Sequence, residues 1–508
     1  MSDDTVAALL RSTNRLVVIE APAGCGKTWQ GATYARDAAT ALGRGRLLIL
    51  THTHAACSVF AERTRGIGAR VEIRTIDALV TQIATAYREA MDLPENLTAW
   101  AWQGGGAGFQ IMASRVAGFL KAQPMIARAL ATRYPLIILD EHQDSTIDQH
   151  AIAMALFEGG ASLRVFGDPW QRIFGDRGEK ACVRDRQRWD EFKAQGKFDR
   201  LDHPHRWDKG CPELGRWVME ARASLEAGQP IDLRGNLPPS VRVLVGNNIA
   251  EQPKGFRLSD EHAAPIRTLV RKSDQLMILA NNSLIRPLAA FWYRQVPIWE
   301  GHSREDFATL VDATHASIGD PAALAEAFIS FASSVSVGFT PSAHGGLMRR
   351  EVSEGCRRTS GGKPANMRQM AQCLVDDPSH RGMSASLAIF ADLARQSAAG
   401  FEKVRIDHRV ELRDAIRMGE FASAHDGFAE VARRRAHTQP SPPRKVLSSI
   451  HKAKGLECDR GLVMACDRAR FSGTTYSRCK LYVALSRAKR SLTLVASESD
   501  PSPLFRLA

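Results

Sequence analysis

The chain has 508 residues, of which 44% are hydrophobic, enough for packed cores and too many for a wholly disordered protein. Its 68 lysines and arginines outnumber its 55 aspartates and glutamates, which gives a net charge of +13 at pH 7. This excess favours an anionic partner, with nucleic acid ahead of a membrane, although a generally basic soluble surface also accounts for it.

The cysteines and the apolar runs argue against several other classes of protein. None of the nine cysteines belongs to a Cys-x-x-Cys pair, which argues against a zinc ribbon or a ligated cluster and suits a reducing compartment. The N-terminus lacks the apolar region of a signal peptide, and no apolar run approaches the roughly 18 residues of a membrane span. We therefore expect a soluble cytoplasmic protein with several domains and no membrane partner.

A glycine-rich stretch at residues 21–28 is the first motif in the chain. It follows an apolar run at 16–19 and precedes a helical segment at 29–41, which is the context of a phosphate-binding loop. In such a loop Lys27 supplies a positive charge for the phosphates, and the Thr28 hydroxyl is a Mg²⁺ ligand. A chance glycine turn before a helix is the alternative. The predicted nucleotide-binding residues are Ala21, Pro22, Ala23, Gly24, Cys25, Gly26, Lys27 and Thr28.

Short apolar runs alternate with helical segments along the rest of the chain, a pattern that predicts doubly wound parallel sheets. Two long stretches, 80–130 and about 300–440, lack this alternation and are mainly helical, the first with a flexible turn at 104–108. The sequence thus predicts two α/β cores, each carrying a mainly helical insertion, with a stiff proline-rich linker at 440–443. The predicted strands lie at 16–19, 46–50, 71–74, 136–139, 163–166, 241–245, 276–280, 446–450, 461–464 and 492–495.

Two adjacent carboxylates, Asp140 and Glu141, follow the apolar run at 136–139. Ligands of open α/β sheets bind at the carboxyl ends of the strands, so this pair belongs where a nucleotide would lie. Asp140 is the candidate to hold Mg²⁺, and Glu141 the candidate to orient and deprotonate an attacking water. An acidic pair alone is a weak signal, but after a phosphate loop it is a strong one.

These motifs and four later segments together resemble the ordered motifs of superfamily 1 DNA helicases of the UvrD/Rep type. Asp140–Asp144 is similar to their Asp-Glu-x-Gln-Asp box. The later segments are 167–175 (motif III), 204–206 (motif IV), 450–457 (motif V) and 481–489 (motif VI).

The resemblance implies a fold and a domain arrangement. Family members have two RecA-like P-loop cores with parallel sheets, and each core carries a mainly helical insertion. By this resemblance the first core is 1–77 with 131–210 and its insertion is 78–130. The second core is 211–300 with 441–508, and its insertion is 301–440.

The resemblance also implies roles for single residues around bound ATP and Mg²⁺. Gln171 would couple the γ-phosphate to the DNA-binding face, and Arg206 and Arg487 would reach the γ-phosphate as arginine fingers. Glu457 is expected at the ribose. The predicted catalytic set is Lys27, Glu141, Gln171, Arg206 and Arg487, and Glu457 joins the nucleotide-binding set. An ordinary surface ion pair is the alternative for each arginine.

At several positions that contact DNA in the family, this chain has a different residue type. The DNA-binding candidates are His52, Trp170, Phe174 and His451, but His52 replaces a stacking Phe and Asp176 replaces a Trp. Core packing is an equal alternative for Trp170.

Two positions that read adenine in the family also depart from its pattern. The expected upstream Gln is absent from residues 3–6, and His205 replaces a Tyr. ATP is still the expected nucleotide, with base selectivity left open.

Two functions follow as expectations. The first is an ATP-dependent helicase that moves on single-stranded or tailed duplex DNA, 3′ to 5′ as in the family. The alternative is a DNA-regulated ATPase that works with a partner nuclease, for example in phage defence. The basic segment 348–368 and Arg433–Arg435 are predicted as either phosphate-binding or merely solvated.

Overall fold

The computed structural model describes residues 2–67, 70–95, 97–246, 251–252, 255–256, 258, 260–292, 295–300, 304–357, 361–436 and 442–507. The chain divides into two compact units. The sheet unit comprises Met1–Val80, Ala113–Trp299 and Ser441–Ala508, and the helical unit comprises Thr81–Met112 and Glu300–Pro440. The four-domain boundaries inferred from the sequence stay a prediction.

The strands form two large sheets in the sheet unit and a few short two-stranded pairs. In chain order the strands are β1 Leu16–Glu20, β2 Leu47–Thr51, β3 Val71–Thr75, β4 Leu136–Leu139, β5 Ser162–Gly167, β6 Lys197–Arg200, β7 Ile231–Asp232, β8 Val241–Gly246, β9 Glu251–Gln252, β10 Gly255–Phe256, β11 Leu276–Ala280, β12 Ser336–Val337, β13 Arg405–Ile406, β14 Lys445–Ser449, β15 Cys458–Cys466, β16 Ala488–Ser497 and β17 Phe505–Arg506.

Helices cover the sheets and build the helical unit. In chain order the helices are α1 Ser2–Leu10, α2 Lys27–Ala41, α3 His54–Arg63, α4 Ile76–Ala86, α5 Leu97–Ala122, α6 Pro124–Arg133, α7 Ile147–Glu158, α8 Glu179–Gln195, α9 His205–Asp208, α10 Pro212–Glu226, α11 Asp260–Lys272, α12 Ile285–Phe291, α13 Glu305–Ala316, α14 Pro321–Val335, α15 Ala343–Ser353, α16 Gly362–Asp376, α17 His380–Gln396, α18 Arg409–Arg417, α19 Ala424–Ala436, α20 Ile450–Ala453 and α21 Thr475–Leu485.

The first sheet has six parallel strands in the order β3-β2-β4-β5-β1-β6. Every residue of β1, β2 and β4 is buried, which explains why these strands are continuous apolar runs. Glu20 at the end of β1 is in register with Gly167 at the end of β5, and Leu139 at the end of β4 pairs with Val165. The segments that follow β1, β4 and β5 therefore leave the sheet at one edge.

The second sheet has five parallel strands in the order β14-β11-β15-β16-β8. Its central strands β11, β15 and β16 have long buried runs, again as expected of a parallel sheet with both faces covered. The fold is thus mixed α/β with two parallel sheets and many helices.

Helices α13–α19 of the helical unit pack around an apolar core that contains the fully buried rings of Phe307, Phe328, Phe390 and Phe401. The unit also contains a short antiparallel strand pair, β12 with β13. Among the described residues, no helix of either unit combines the length and apolar character needed to cross a bilayer.

The structure confirms each predicted strand and corrects two details. Strand β6 was missed because its sequence, Lys-Phe-Asp-Arg, is polar and half exposed at the sheet edge. The predicted interruption at 104–108 is not a break, because α5 continues through it. The backbone is sharply bent there, however: a Cβ on Gly108 would lie 2.5 Å from the Ala101 Cα, whereas residues seven apart in a straight helix are about 10 Å apart. Residues 440–441 of the predicted linker lie outside the described part.

Candidate nucleotide site

The glycine loop joins β1 to α2, and two glycines make its turn. Gly24 and Gly26 have φ of +79° and +82°, in the left-handed region that favours glycine. Neighbouring chain also packs closely against the loop: a Cβ on Gly24 would lie 2.6 Å from the Trp207 ring and 2.8 Å from the Arg206 Cβ. The Arg206 N–H donates to the Gly24 carbonyl at 3.1 Å. The loop is therefore fixed by both its own geometry and residues 206–207.

Lys27, the first residue of α2, lies against both carboxylates that follow β4. Its Nζ is 3.0 Å from Asp140 Oδ1 and also contacts Glu141 Oε1. Burial lowers the pKa of Lys27, but the two carboxylates outweigh burial and raise it. Burial raises the pKa of Glu141, but Lys27, Lys454 and a hydrogen bond from Gln143 together hold it well below its usual range. Glu141 is thus held ionised, as a base must be.

The two carboxylates of the pair differ in environment. Asp140 is nearly fully buried, and burial raises its pKa against the opposing effect of Lys27. Glu141 has φ of +55°, which is uncommon for a residue with a side chain. That backbone turn comes just after β4, and both carboxylates still contact the Lys27 ammonium.

Gln171 lies in a short 3₁₀ turn, 169–171, that follows β5. Its side-chain amide donates to Asp168 Oδ2 at 2.9 Å, and the same Asp168 accepts from the Trp170 N–H at 3.1 Å. Gln143, two residues beyond Glu141, accepts from the Asp168 N–H at 3.0 Å and donates to Glu141. Side-chain amides therefore connect the ends of β4 and β5.

Arg487 stands immediately before β16 and reaches Gln171 from the second sheet. One guanidinium nitrogen lies 3.3 Å from Gln171 Oε1, and further bonds go to Ser486 Oγ and to the Val483 and Leu456 carbonyls. The side chain is buried, and burial together with nearby Arg206 lowers the pKa of Arg487 to about 10. Arg487 thus places a desolvated positive charge next to Gln171, in the turn that follows β5 of the first sheet.

Arg206, which was predicted at the γ-phosphate, contacts Glu457, which was predicted at the ribose. The Arg206 guanidinium pairs with Glu457 at 2.8 Å and donates to the Ser486 carbonyl at 2.5 Å. Glu457 precedes β15, and the Cys458 N–H donates to the Arg487 carbonyl at 3.0 Å. The two arginines are therefore carried by neighbouring backbone and lie on one side of the loop.

Two further residues, Lys454 and Tyr482, belong to this network, although the sequence analysis did not predict a role for either. Lys454 contacts Asp144, lies 3.9 Å from Glu141 Oε2 and donates to the Gln171 carbonyl at 2.6 Å. The fully buried Tyr482 accepts from the Ala23 N–H of the glycine loop at 2.8 Å. Both lie inside the segments that resemble motifs V and VI, which was the only signal available.

The predicted loop residues lie between β1 and the first turn of α2, as the sequence predicted. Thr28 is the second residue of α2 and is partly exposed. Cys25 is buried, and burial raises the pKa of its thiol to about 12, so it is a packing residue rather than a thiolate.

The four DNA-binding candidates divide into buried and exposed residues. Trp170 is only 3% exposed, beneath the Arg186 guanidinium at 4.1 Å from its ring, which favours the packing alternative. His52 bonds Ser145 Oγ at 3.1 Å, and burial lowers its pKa to about 4. Phe174 is 41% exposed and lies 6.4 Å from the His451 ring. Phe174 and His451 are therefore the pair brought together.

The basic segment of the helical unit is partly neutralised by its own neighbours. Arg349 forms a two-pronged pair with Glu326 at 2.5 and 2.8 Å, and Arg434 pairs with Glu430 at 2.6 Å. Arg358 and the side chains of Arg433 and Arg435 lie outside the described part. Phosphate binding by these arginines stays a prediction.

Asp3 and His205 occupy the positions at which family members are expected to recognise adenine, and here they contact each other. His205 Nε2 lies 2.6 Å from Asp3 Oδ2, and the His205 ring would be 3.2 Å from a Cβ on Gly26. The end of the loop where a base would be expected is therefore lined by an Asp–His pair.

A comparison with protein families supports the resemblance drawn from the sequence motifs. The family model of the UvrD/REP helicase N-terminal domain matches residues 73–182, a span that contains Asp140, Glu141 and Gln171. No curated protein matches the chain. The family match confirms the resemblance to superfamily 1 helicases of the UvrD/Rep type.

Proposed function

We propose that this protein is an ATP-driven DNA helicase that moves on single-stranded DNA, 3′ to 5′, and couples hydrolysis to duplex unwinding. The observation that carries the proposal is the contact between Arg487 and Gln171. It joins the turn that follows β5 of the first sheet to the residue that precedes β16 of the second. In this proposal the sheets are two RecA-like cores, the segments 78–130 and 301–440 are their helical insertions, and the protein is cytoplasmic.

The site residues fit ATP and Mg²⁺. Thr28 and Asp140 offer the oxygen ligands that Mg²⁺ prefers, and the N-terminus of α2 with the glycine loop suits a triphosphate. Mg²⁺ would neutralise charge on the transferring phosphoryl group. No other metal donor is needed from the chain.

The chain's own residues divide the chemistry among them. Lys27 supplies a fixed positive charge for the β- and γ-phosphates, and Glu141, held ionised, accepts the proton of an attacking water. Arg487 and Arg206 stabilise negative charge that spreads in the transition state, and Glu457 is positioned for the ribose. Gln171, bonded to Arg487 and Asp168, relays the state of the site toward Phe174.

The test is the ATPase rate of the purified chain with and without single-stranded DNA, followed by unwinding of 3′-tailed and 5′-tailed duplexes. We expect DNA to stimulate ATP turnover and the 3′-tailed duplex alone to be unwound. Glu141→Gln should lower turnover by about 10²-fold or more while nucleotide still binds, whereas Lys27→Ala should lose both. ATP turnover that ignores DNA would contradict the proposal.

A second candidate function rests on the burial of Trp170 and the partial burial of His52, which leave fewer exposed rings for base stacking. In that case the protein is a DNA-regulated ATPase that works with a partner nuclease, with little unwinding of its own. A DNA-stimulated ATPase that fails to unwind either duplex alone, but supports cleavage by a co-purifying nuclease, would favour it. Repair, replication and phage defence stay open as pathways.

A further inference from the structure

Three side chains with metal-binding atoms converge in residues 203–208, just beyond β6. His203 Nε2 lies 2.9 Å from both carboxylate oxygens of Asp208, and His205 Nδ1 lies 3.3 Å from Asp208 Oδ2. The two imidazole rings are 4.4 Å apart between centroids. Ligand atoms around tetrahedral zinc are about 3.3–3.5 Å apart, so these donors need only small shifts to share one ion.

The backbone that carries these donors is held in place from two directions. The Arg206 N–H donates to Gly24, and the Trp207 indole N–H donates to the Ala488 carbonyl at 2.8 Å. Because Trp207 is fully buried, the short helix α9 cannot rotate freely. Ligands that are ordered beforehand lose less entropy when they bind an ion.

Carboxylates face both histidines of this cluster. His205 has a carboxylate at each nitrogen, Asp3 at Nε2 and Asp208 at Nδ1. His203 faces the same Asp208 carboxylate through Nε2. Two imidazoles and two carboxylates thus meet at one place, a donor set that suits a divalent cation.

Asp3 has the position of an outer partner to such an ion. A histidine that binds a metal usually donates its other N–H to a carboxylate, which orients the ring. The contact from His205 Nε2 to Asp3 Oδ2 at 2.6 Å has this form. The other oxygen, Asp3 Oδ1, is buried with no hydrogen-bond partner among the described residues. Asp3 thus has negative charge near the cluster that its own neighbours do not satisfy.

We propose that His203, His205 and Asp208 form a site for a divalent transition-metal ion, with Asp3 as the outer partner of His205. Two imidazoles and one carboxylate suit Zn²⁺, with Co²⁺ as a spectroscopic substitute, rather than Mg²⁺. Three protein ligands leave one position for water. The site lies beside Gly26 and brackets Arg206, but its existence does not depend on the proposed helicase function.

The test is a Co²⁺ titration of the full chain, stripped of metal with a chelator, at pH 8 without nucleotide or DNA. We expect one equivalent to give the visible absorption of tetrahedral Co²⁺, and Zn²⁺ to displace it. Asp208→Asn and His203→Asn should each weaken Co²⁺ binding at least 10-fold, and Asp3→Asn about 10-fold.

Asp202→Asn is the matched control, because it removes the same charge from an exposed neighbour outside the ligand set. It should bind Co²⁺ like the parent chain. Thermal unfolding of each metal-free variant checks that it folds, and Zn²⁺ should raise the unfolding temperature of the parent but not of Asp208→Asn. Absence of a visible band in the parent, or an unchanged band in both ligand variants, would overturn the proposal.

Discussion

Arg487 illustrates how much a single buried side chain does at this site. All three nitrogens of its guanidinium are used: one bonds both Gln171 and Ser486, and the other two each bond a backbone carbonyl. A lysine has three donors on one atom and cannot span that set. At Lys27 a single ammonium is enough, because it only has to place one positive charge between two carboxylates that would otherwise repel each other.

At this scale we predict that Arg487→Lys lowers the turnover number for ATP roughly 10²- to 10³-fold, since loss of an arginine finger typically has effects of this order or larger. Nucleotide binding should change much less, because Lys27 and the loop are untouched. Steady-state ATPase at saturating DNA, with a separate nucleotide-binding titration, measures both.

Arg490→Lys provides the control for that change. Arg490 lies three residues away, is largely exposed and only approaches Asp459 at 3.6 Å. It should leave turnover within about twofold of the parent. If Arg487→Lys also kept full turnover, Arg487 would not be a finger.

At the scale of elements, the site is a set of segments that leave parallel strands at one sheet edge. The sequence predicted these strands because both of their faces are buried and their residues are apolar. It also located the glycine loop and the acidic pair, since local spacing alone defines them. It could not show that Lys454 meets Asp144 or that Tyr482 meets Ala23, because those contacts join segments more than 300 residues apart and depend on tertiary packing.

The sequence also could not predict the polar edge strand β6 or the burial of Trp170, because both depend on tertiary packing. An edge strand needs no apolar face, so Lys-Phe-Asp-Arg carries no strand pattern. An aromatic ring after a strand fits either a base or a core, and only the packing of Arg186 above Trp170 favours the core.

At this scale we predict that Gly24→Ala destabilises the sheet unit by roughly 1–3 kcal/mol and weakens nucleotide binding at least tenfold. The new Cβ would meet Trp207 at 2.6 Å, and φ of +79° is unfavourable for alanine. Urea unfolding followed by tryptophan fluorescence, with a nucleotide titration, measures both effects.

Gly43→Ala tests whether the position, rather than the loss of a glycine, is responsible. Gly43 follows the same helix, has no positive φ, and a Cβ there would meet nothing within 4 Å. It should be neutral or slightly stabilising. Equal destabilisation by both changes would contradict the argument.

At the scale of the whole molecule, several partly buried histidines make stability depend on pH. Burial lowers the pKa of His52, His150 and His451 to about 4 in each case. In the unfolded chain the same side chains bind protons below about 6.5. The unfolded state therefore binds more protons between about pH 6.5 and 4, and stability falls as pH falls through that window. Buried carboxylates with raised pKa values, such as Asp140, oppose this trend near its lower end.

We predict that His52→Asn reduces the slope of unfolding free energy against pH by about 1.4 kcal/mol per unit between roughly pH 6 and 4.5. Asparagine cannot titrate but can still bond Ser145. Urea unfolding at several pH values measures the slope. Tryptophan fluorescence reports mainly the sheet unit, because every tryptophan except Trp100 and Trp102 belongs to it.

Thr53→Asn is the control, because it places the same side chain at the exposed residue before α3 and removes no titratable group, so it should leave the slope unchanged. A slope that is the same in the parent and in His52→Asn would mean that His52 titrates normally in the folded protein.

Arg222 on α10 bears on how the sheet unit opens. Its guanidinium is fully buried and bonds Glu20 at the end of β1 and Asp168 beyond β5, at 2.8 and 2.9 Å. Withdrawing α10 would strand two buried carboxylates and a buried cation, which is far costlier than losing an exposed pair. In native-state hydrogen exchange, the amides of α10 should therefore exchange together with those of β1 and β5. That result would assign α10 to the cooperative unit of the first sheet, whereas the sequence assigned residues 211–300 to the second core.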